Sequence, residues 1–237
     1  MHRKGRADKI RSKLFTKLSR EITVSAKLGA PEPDMNPRLR AAVQAARSAN
    51  MPKDNIERAI KKSQGNIDNS YEFSRYEGFG PGRTGVIIEV LTDNKNRSVS
   101  NIRTIFQKFG GTLGETGSVS YQFEQIGQIK IKKELMSTND ALELAINAGA
   151  DDCNTTDIYH EINCKKENFN SVREEVEKKI KDLSFAGLVW NPLNKVNLDK
   201  ETFSKIVNFL EQIEDDDDVQ NVYTNFEVDE KILEGVN

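Results

Sequence analysis

Apolar residues recur at every fourth position near the start of the chain, a spacing that predicts a long helix. Ile10, Leu14, Leu18 and Ile22 fall on one face of a helix that runs from about residue 6 to residue 28. Basic residues lie largely off that face. The pattern therefore indicates an amphipathic helix with a cationic outer side.

Two shorter helices are predicted after a loop that contains glycine and two prolines. Asn36 followed by Pro37 is typical of a helix start, because asparagine caps the first turn and proline has no amide hydrogen to leave unpaired. A third helix is predicted from Pro52 to about Gly65. Their thin apolar faces consist of Leu39, Val43, Ala46, Ile56 and Ile60. The first 70 residues are expected to form a three-helix bundle.

Beyond a polar stretch at 66–76, which is predicted to be a linker, short apolar runs alternate with helical spacing. Residues 86–91 form an apolar run typical of a strand, and the alternation at 119–123 predicts a half-buried strand. A helix between them has its inner face formed by Val99, Ile102, Phe106 and Phe109. This order is β-α-β.

The next segment, 126–192, has the order β-α-β-β-α-β, which is typical of a ferredoxin-like module. A further β-α-β pattern follows and completes the module that the run at 86–91 began. We therefore expect an α+β multidomain fold, an N-terminal three-helix bundle plus two ferredoxin-like α+β modules, one inserted in the other. The predicted domains are a basic helical domain at 1–70, a discontinuous α+β domain at 71–125 and 193–237, and an inserted α+β domain at 126–192. The insertion requires the strands at 86–91 and 222–228 to lie in one sheet.

Charge is distributed unevenly along the chain. Residues 1–70 contain sixteen Lys and Arg against seven Asp and Glu, whereas the remainder contains nineteen against thirty. Such an imbalance indicates an anionic partner for the first region. Ordinary solvated helix faces with internal pairs such as Glu57–Lys61 are the competing interpretation. Eight cations in the first twenty residues, with Asp8 as the only acid, favour a nucleic acid.

The candidate nucleic-acid contacts are the basic residues of the three predicted helices and the segment before them. Cations on phosphates supply affinity without reading the base sequence. A membrane surface is a poorer fit, because the first helix contains one Phe and no Trp. The candidate residues are His2, Arg3, Lys4, Arg6, Arg11, Lys13, Lys17, Arg20, Arg38, Arg40, Arg47, Lys53 and Arg58.

No pattern in the chain indicates catalysis, a cofactor or a metal. The glycine-rich stretch 77–85 precedes a strand, whereas a phosphate loop needs a helix directly after it. Cys153 and Cys164 have no CxxC spacing, and the acidic run 214–218 is expected to be a solvated loop. His160 lies on the same face of a predicted strand as Ile158 and Ile162, so it is expected to be packed and hydrogen-bonded. We therefore expect a protein that is not an enzyme and has neither cofactor nor metal.

Several long stretches carry a specific family resemblance that runs across nearly the whole chain. They are HRKGRAD (2–8), LFTKL (14–18), NMPKDNIERAI (50–60), YEGFGPG (76–82), TDNKNR (92–97), GSVSYQF (117–123) and DDVQNVYTNF (217–226). Together they resemble the YebC/PmpR family, whose mitochondrial relatives include the translational activator of cytochrome oxidase subunit one. The family usually opens with a Gly-His-Ser-Lys-Trp segment before the His-Arg-Lys stretch, whereas this sequence starts at Met1-His2. Either the true start lies upstream or the segment is absent, and contacts from it stay open.

The resemblance implies a DNA-binding transcriptional regulator in the cytoplasm, with three domains. It also implies a rival role in translation, in which the same basic surface binds ribosomal RNA by shape and backbone. In that role the polar turn formed by Asp93, Asn94, Lys95, Asn96 and Arg97 could reach a functional centre. The absence of an apolar run of about 20 residues argues against a membrane partner. We expect a monomer, with a weak dimer as the alternative.

Overall fold

The computed structural model describes residues 3–65 and 71–229. Its helices are α1 (Arg3–Leu28), α2 (Pro37–Ser48), α3 (Lys53–Ser63), α4 (Lys95–Lys108), α5 (Thr138–Ala148), α6 (Phe169–Lys179) and α7 (Lys200–Glu214). Its strands are β1 (Glu72–Phe79), β2 (Gly85–Thr92), β3 (Thr112–Leu113), β4 (Phe123–Lys132), β5 (Asp152–Thr155), β6 (Tyr159–Lys165), β7 (Phe185–Pro192), β8 (Val196–Asn197), β9 (Val219–Thr224) and β10 (Phe226–Glu227). The α+β multidomain class expected from the sequence is confirmed.

The chain divides into two compact units, and each combines segments that are distant in sequence. The first unit consists of Met1–Lys17, Ile67–Glu124 and Trp190–Asn237. The second consists of Leu18–Asn66 and Gln125–Val189.

The first unit is built on a four-stranded sheet of order β3-β1-β2-β9. β1 runs antiparallel to β2, and β2 antiparallel to β9, with Ile88 opposite Val222. Helices α4 and α7 cover one face, where the Phe106 and Phe209 rings meet edge to face at 4.9 Å between centroids. The strands at 86–91 and 219–224 therefore share a sheet, as the insertion requires. Phe226 instead belongs to β10, which pairs with β8 in a separate two-stranded sheet.

The second unit contains a four-stranded sheet of order β5-β6-β4-β7. β4 and β6 are antiparallel, with Ile129 opposite Ile162, and both side chains are buried. The core beneath α5 and α6 is completed by small and branched residues such as Ala145 and Val176. Gly149 ends α5 in the left-handed conformation at φ 77°, which glycine adopts without steric cost.

The helical part of the second unit is held at its centre by Asn36. Its side-chain oxygen Oδ1 accepts a bond from the backbone amide of Leu39 at 3.1 Å, so the predicted helix cap is confirmed. Its amide nitrogen donates to the carbonyl oxygens of Ser25 and Ala30, both at 2.8 Å. One buried side chain therefore connects the end of α1, the following loop and the start of α2.

Two local predictions are wrong, and both involve strands. The stretch predicted to be a linker contains β1, whose polar sequence hides it because only Glu77 and Gly78 are buried. The strand predicted at 119–123 is instead a turn and a short 3₁₀ segment, Ser120–Gln122. The Glu77 carboxylate accepts bonds from the amides of Val119 and Ser120 at 3.1 and 2.9 Å, which takes those amides away from any strand ladder.

The apolar stripe of α1 is buried along only part of its length. Ile22 is fully buried, whereas Ile10 is 61% exposed and Leu14 is 44% exposed. The fourfold spacing predicts the helix correctly, but burial depends on what packs against each turn. None of the described helices is both long and apolar enough to cross a membrane.

Candidate nucleic-acid interface

The structure separates the candidate cations into those bonded to the protein and those that face solvent. His2 lies outside the described residues, as do the side chains of Arg3, Lys4 and Arg6. The remaining candidates are distributed over α1, α2 and α3.

Lys13 and Lys17 are bonded to the end of α7 within the first unit. The Lys13 ammonium donates to the carbonyl oxygen of Asp215 at 2.6 Å and forms an ion pair with its carboxylate. The Lys17 ammonium donates to the carbonyl oxygen of Glu214, also at 2.6 Å. Burial lowers the pKa of Lys17 below its ordinary value, although the nearby Glu214 and Asp217 carboxylates oppose this shift.

The other two cations of α1 also have neighbours within the protein. The Arg11 guanidinium lies 5.2 Å from the centre of the Phe15 ring, in the range of a cation–π contact. Arg20 is half-buried and is engaged by a neighbouring group.

Two arginines of α2 hold the helical part together. Arg38 forms a two-point contact with Glu21, at 2.8 Å from Nε and 3.2 Å from Nη2. Arg40 donates to the carbonyl oxygens of Pro33 and Asp34 at 3.1 and 2.9 Å. These contacts join α2 to α1 and to the preceding loop, so both guanidinium groups stabilise the fold.

The cations that face solvent lie on α3 and at the end of α2. Arg47, Lys61 and Lys62 are exposed and, within the described part of the chain, have no ion-pair partner. Lys53 pairs with Glu57 at 3.4 Å, but its side chain is 84% exposed. Arg58 lies on the same outer side and bonds the Asp54 carbonyl oxygen at 3.2 Å.

Lys61 and Lys62 are not among the residues predicted from the sequence, where Glu57 and Lys61 have the spacing of a helical ion pair. In the structure Glu57 pairs with Lys53 instead, at 3.4 Å. The available signal was their position as the two basic residues in the last turn of α3, whose buried residues are Ile56, Ala59 and Ser63. Cations at that end of a helix are also favoured by its dipole.

The polar turn at residues 93–97 forms the start of α4, and its arginine is bonded to the protein. Asn94 caps the helix by accepting from the Arg97 amide at 3.0 Å. The Arg97 guanidinium contacts both carboxylate oxygens of Asp218, at 2.7 and 2.9 Å, and Asp93 at 2.9 Å. These bonds raise the pKa of Arg97 and engage its charge within the protein.

Asp218 is the buried centre of this network. Its side chain is only 4% exposed and also accepts from the Thr92 and Ser98 hydroxyls at 2.9 and 2.7 Å. Burial acts to raise the pKa of Asp218, but bonds from Arg97, Ser98 and Thr92 hold it below its ordinary value. The sequence interpretation of 214–218 as an entirely solvated loop is therefore wrong at its last residue.

The other residues of the turn border an open depression of about 420 Å³. Lys95 pairs with Glu72 across it, and this neighbour raises the pKa of Lys95. Asn96 is exposed at the rim. The structure thus places Asp93, Asn94 and Arg97 in one bonded cluster and leaves Lys95 and Asn96 at the surface.

The histidine and the two cysteines considered for catalysis are held in ordinary packed or partly buried positions. His160 is fully buried, and its ring nitrogens lie 2.9 Å from the Thr155 hydroxyl and 3.0 Å from the Met136 carbonyl oxygen, so the packed histidine is confirmed. Burial raises the pKa of the Cys153 and Cys164 thiols, which keeps them protonated. Among the described residues, no three His, Cys, Asp or Glu side chains form a candidate metal site.

Comparison with known proteins identifies the family. Residues 1–66 match the TACO1/YebC protein N-terminal domain, and residues 71–226 match the TACO1/YebC second and third domain. A "probable transcriptional regulatory protein" of Pelagibacter ubique is 55% identical over 224 residues, which are 94% of this chain and 93% of that protein. The crystal structure of a conserved hypothetical protein of Aquifex aeolicus is similar at a TM-score of 0.85 and 43% identity, covering 94% of this chain and 93% of that one. This chain belongs to the TACO1/YebC family.

Proposed function

We propose that this protein regulates gene expression by binding DNA, and that the exposed cations of α3 and the end of α2 form the primary contact. The observation that carries the proposal is the state of Arg47, Lys53, Lys61 and Lys62, which remain accessible while other candidate cations are bonded to the protein. Accessible ammonium and guanidinium groups are what a phosphate backbone requires. The Pelagibacter relative is named a probable transcriptional regulatory protein, which supports the same proposal.

The outer side of α3 has an excess of positive charge, although it is not uniformly basic. Lys53, Arg58, Lys61 and Lys62 share it with Asp54 and Glu57. Its buried side is formed by Ile56, Ala59 and Ser63, so substitutions on the outer side leave the packing intact. This separation makes the proposal testable with variants that retain the fold.

The test replaces Arg47, Lys53, Lys61 and Lys62 together by glutamine. Each phosphate contact contributes about 0.9 to the slope of log affinity against log salt, so losing four should flatten that slope by about 3.6. We expect affinity for a promoter fragment to fall by at least tenfold, measured by fluorescence anisotropy from about 50 to about 200 mM salt. The matched control is the quadruple glutamine variant at the exposed residues Lys133, Lys165, Lys179 and Lys181.

Two outcomes would contradict the proposal. Equal losses in the test and control variants would mean that only total charge matters. Co-sedimentation of the parent protein with ribosomes at physiological salt, together with only weak and sequence-blind DNA binding, would overturn transcription as the function and favour ribosomal RNA as the partner. The four-residue variant should then lose ribosome binding instead.

A further inference from the structure

The C-terminal end of α7 has several acidic residues and no basic residue in its last turn to neutralise them. The helix ends at Glu214 and is followed by Asp215, Asp216 and Asp217, while its last turn contains no Lys, Arg or His. The end of a helix already has a partial negative charge and unpaired carbonyl oxygens, so acidic residues there are unfavourable. A cationic partner would remove this cost.

That partner is the face of α1 that presents Lys13 and Lys17. These residues are four apart and therefore lie on one side of the helix. Their ammonium groups donate to the carbonyl oxygens of Asp215 and Glu214, both at 2.6 Å, which are groups that the end of α7 leaves without a helical partner. The contact thus caps one helix with the cations of another.

The contact also withdraws both lysines from solvent. The Lys13 side chain is 25% exposed, and Lys17 is half-buried. Burial lowers the pKa of Lys17 in spite of the surrounding acids, so this ammonium is held in a desolvated position. By contrast, Lys53 on α3 is 84% exposed.

We propose that the acidic segment Glu214–Asp217 is an internal competitor of nucleic acid for Lys13 and Lys17. This inference rests on the proposed function, because it assumes that a nucleic acid is the external ligand. The segment presents closely spaced anionic oxygens and carbonyl oxygens to the two ammonium groups, as a phosphate backbone would. The lysines therefore bind nucleic acid only after the acidic segment releases them, and affinity remains below what the cation count of this region allows.

The test neutralises the acids that face the lysines while leaving the buried network intact. The variant is Glu214→Gln, Asp215→Asn and Asp217→Asn; Asp216 is retained because it caps the Asp218 amide at 2.9 Å. Two released lysines should steepen the salt slope by about 1.8 and raise affinity for a short fluorescent duplex DNA on the order of tenfold. The matched control is Glu143→Gln, Glu167→Gln and Glu174→Gln, which removes three exposed charges elsewhere.

A double-mutant cycle separates release of the lysines from a general change of charge. Lys13→Gln with Lys17→Gln should change affinity of the parent protein by less than about twofold, but should abolish the gain in the acid-neutralised variant. Circular dichroism and thermal unfolding of every variant establish that the fold is retained.

The proposal is overturned if the acid-neutralised variant binds no more tightly than the control variant. It is equally overturned if the lysine substitutions weaken the parent and the acid-neutralised variant to the same extent, since the lysines would then be engaged with DNA from the outset. Failure of the proposed function looks different, because substitution of Arg47, Lys53, Lys61 and Lys62 would leave binding unchanged whatever the acidic segment does.

Discussion

The two four-stranded sheets of this protein bury polar groups in different ways. The sheet of the first unit has ionised groups against it, with Asp218 bonded to Arg97, Ser98 and Thr92. The sheet of the second unit buries a histidine, His160, whose two partners are a hydroxyl and a carbonyl oxygen. One site depends on charge, and the other depends on two neutral partners.

The two sites also differ in how far apart in sequence the connected segments are. The Asp218 bonds reach residues about 120 positions away, from 126 for Thr92 to 120 for Ser98. They connect the segment that precedes the second sheet to the segment that follows it. The His160 bonds span only 5 and 24 positions. The Asp218 bonds are charge-assisted, which is the stronger kind, and they lie where the chain returns to the first unit.

Glu77 shows the same use of charge at the other side of the first sheet. Burial acts to raise its pKa, but the amides of Val119 and Ser120 and the charge of Arg75 bring it below its ordinary value. The carboxylate ties β1 to the turn through which the chain leaves for β4. Glu77 therefore binds the segment through which the chain leaves the first unit, and Asp218 belongs to the segment through which it has returned.

The largest expected effect comes from Asp218→Ala. The substitution leaves the Thr92 and Ser98 hydroxyls and the Arg97 guanidinium without the acceptor that they share, at a side chain that is only 4% exposed. We expect a loss of about 3 kcal/mol in the free energy of unfolding, reduced from the full cost of a broken buried pair because Arg97 is 45% exposed. Urea unfolding measures the loss. Asp217→Ala, at an exposed neighbour, should cost less than about 1 kcal/mol; similar losses in the two variants would contradict the comparison.

Acidification should weaken the first sheet before the second, with a smaller effect than Asp218→Ala because protonation keeps the side chain in place. The folded pKa values of Asp218 and Glu77 lie below their ordinary values. Their stabilisation is complete above the unfolded pKa values, at about 4, and is lost as the pH falls through the folded values.

Trp190, the only tryptophan in the sequence, lies in β7, but its indole donates to Glu89 of β2 and therefore reports this loss by fluorescence. We expect its fluorescence to change at a higher pH than the far-ultraviolet circular dichroism of the whole chain. The Glu89→Gln variant controls for local quenching, because the Trp190 indole donates to Glu89 at 3.2 Å. Coincident transitions would show that the carboxylates give the first sheet no special sensitivity to acid.

The smallest expected effect comes from one chemical change made in both sheets. Thr92→Val removes a hydroxyl that donates to ionised Asp218, whereas Thr155→Val removes one that contacts a ring nitrogen of His160. We expect losses of about 2 kcal/mol and about 1 kcal/mol respectively, since bonds to charged groups contribute more. Chemical unfolding of both variants gives the difference directly. Equal losses would mean that the charge of Asp218 adds nothing at this position.

Local signals predicted the elements of both units well. The fourfold spacing of α1 and the Asn36 cap of α2 are each properties of a few neighbouring residues, and both are confirmed. β1 could not be predicted in this way, because its polar sequence becomes a strand only by pairing with β2. The turn at 119–123 was also missed, because Glu77 organises it from 42 positions away.

The candidate site was predictable in composition but not in availability. The sequence shows that the first 70 residues have an excess of basic side chains, but it does not show which of these side chains form bonds within the protein. Lys13 and Lys17 are engaged by Asp215 and Glu214, which lie about 200 positions away. Arg47, by contrast, is exposed.

The helices with their caps, the α+β class and the basic character of the N-terminal region can be predicted from local properties, namely periodicity, capping residues and charge counts. The burial of Asp218, the strand β1 and the bonds from two lysines of α1 to the end of α7 depend on the folded chain, because a charge interacts with any group that the fold brings within a few ångströms of it, regardless of sequence separation. That selection distinguishes the exposed cations of α3 from the engaged cations of α1.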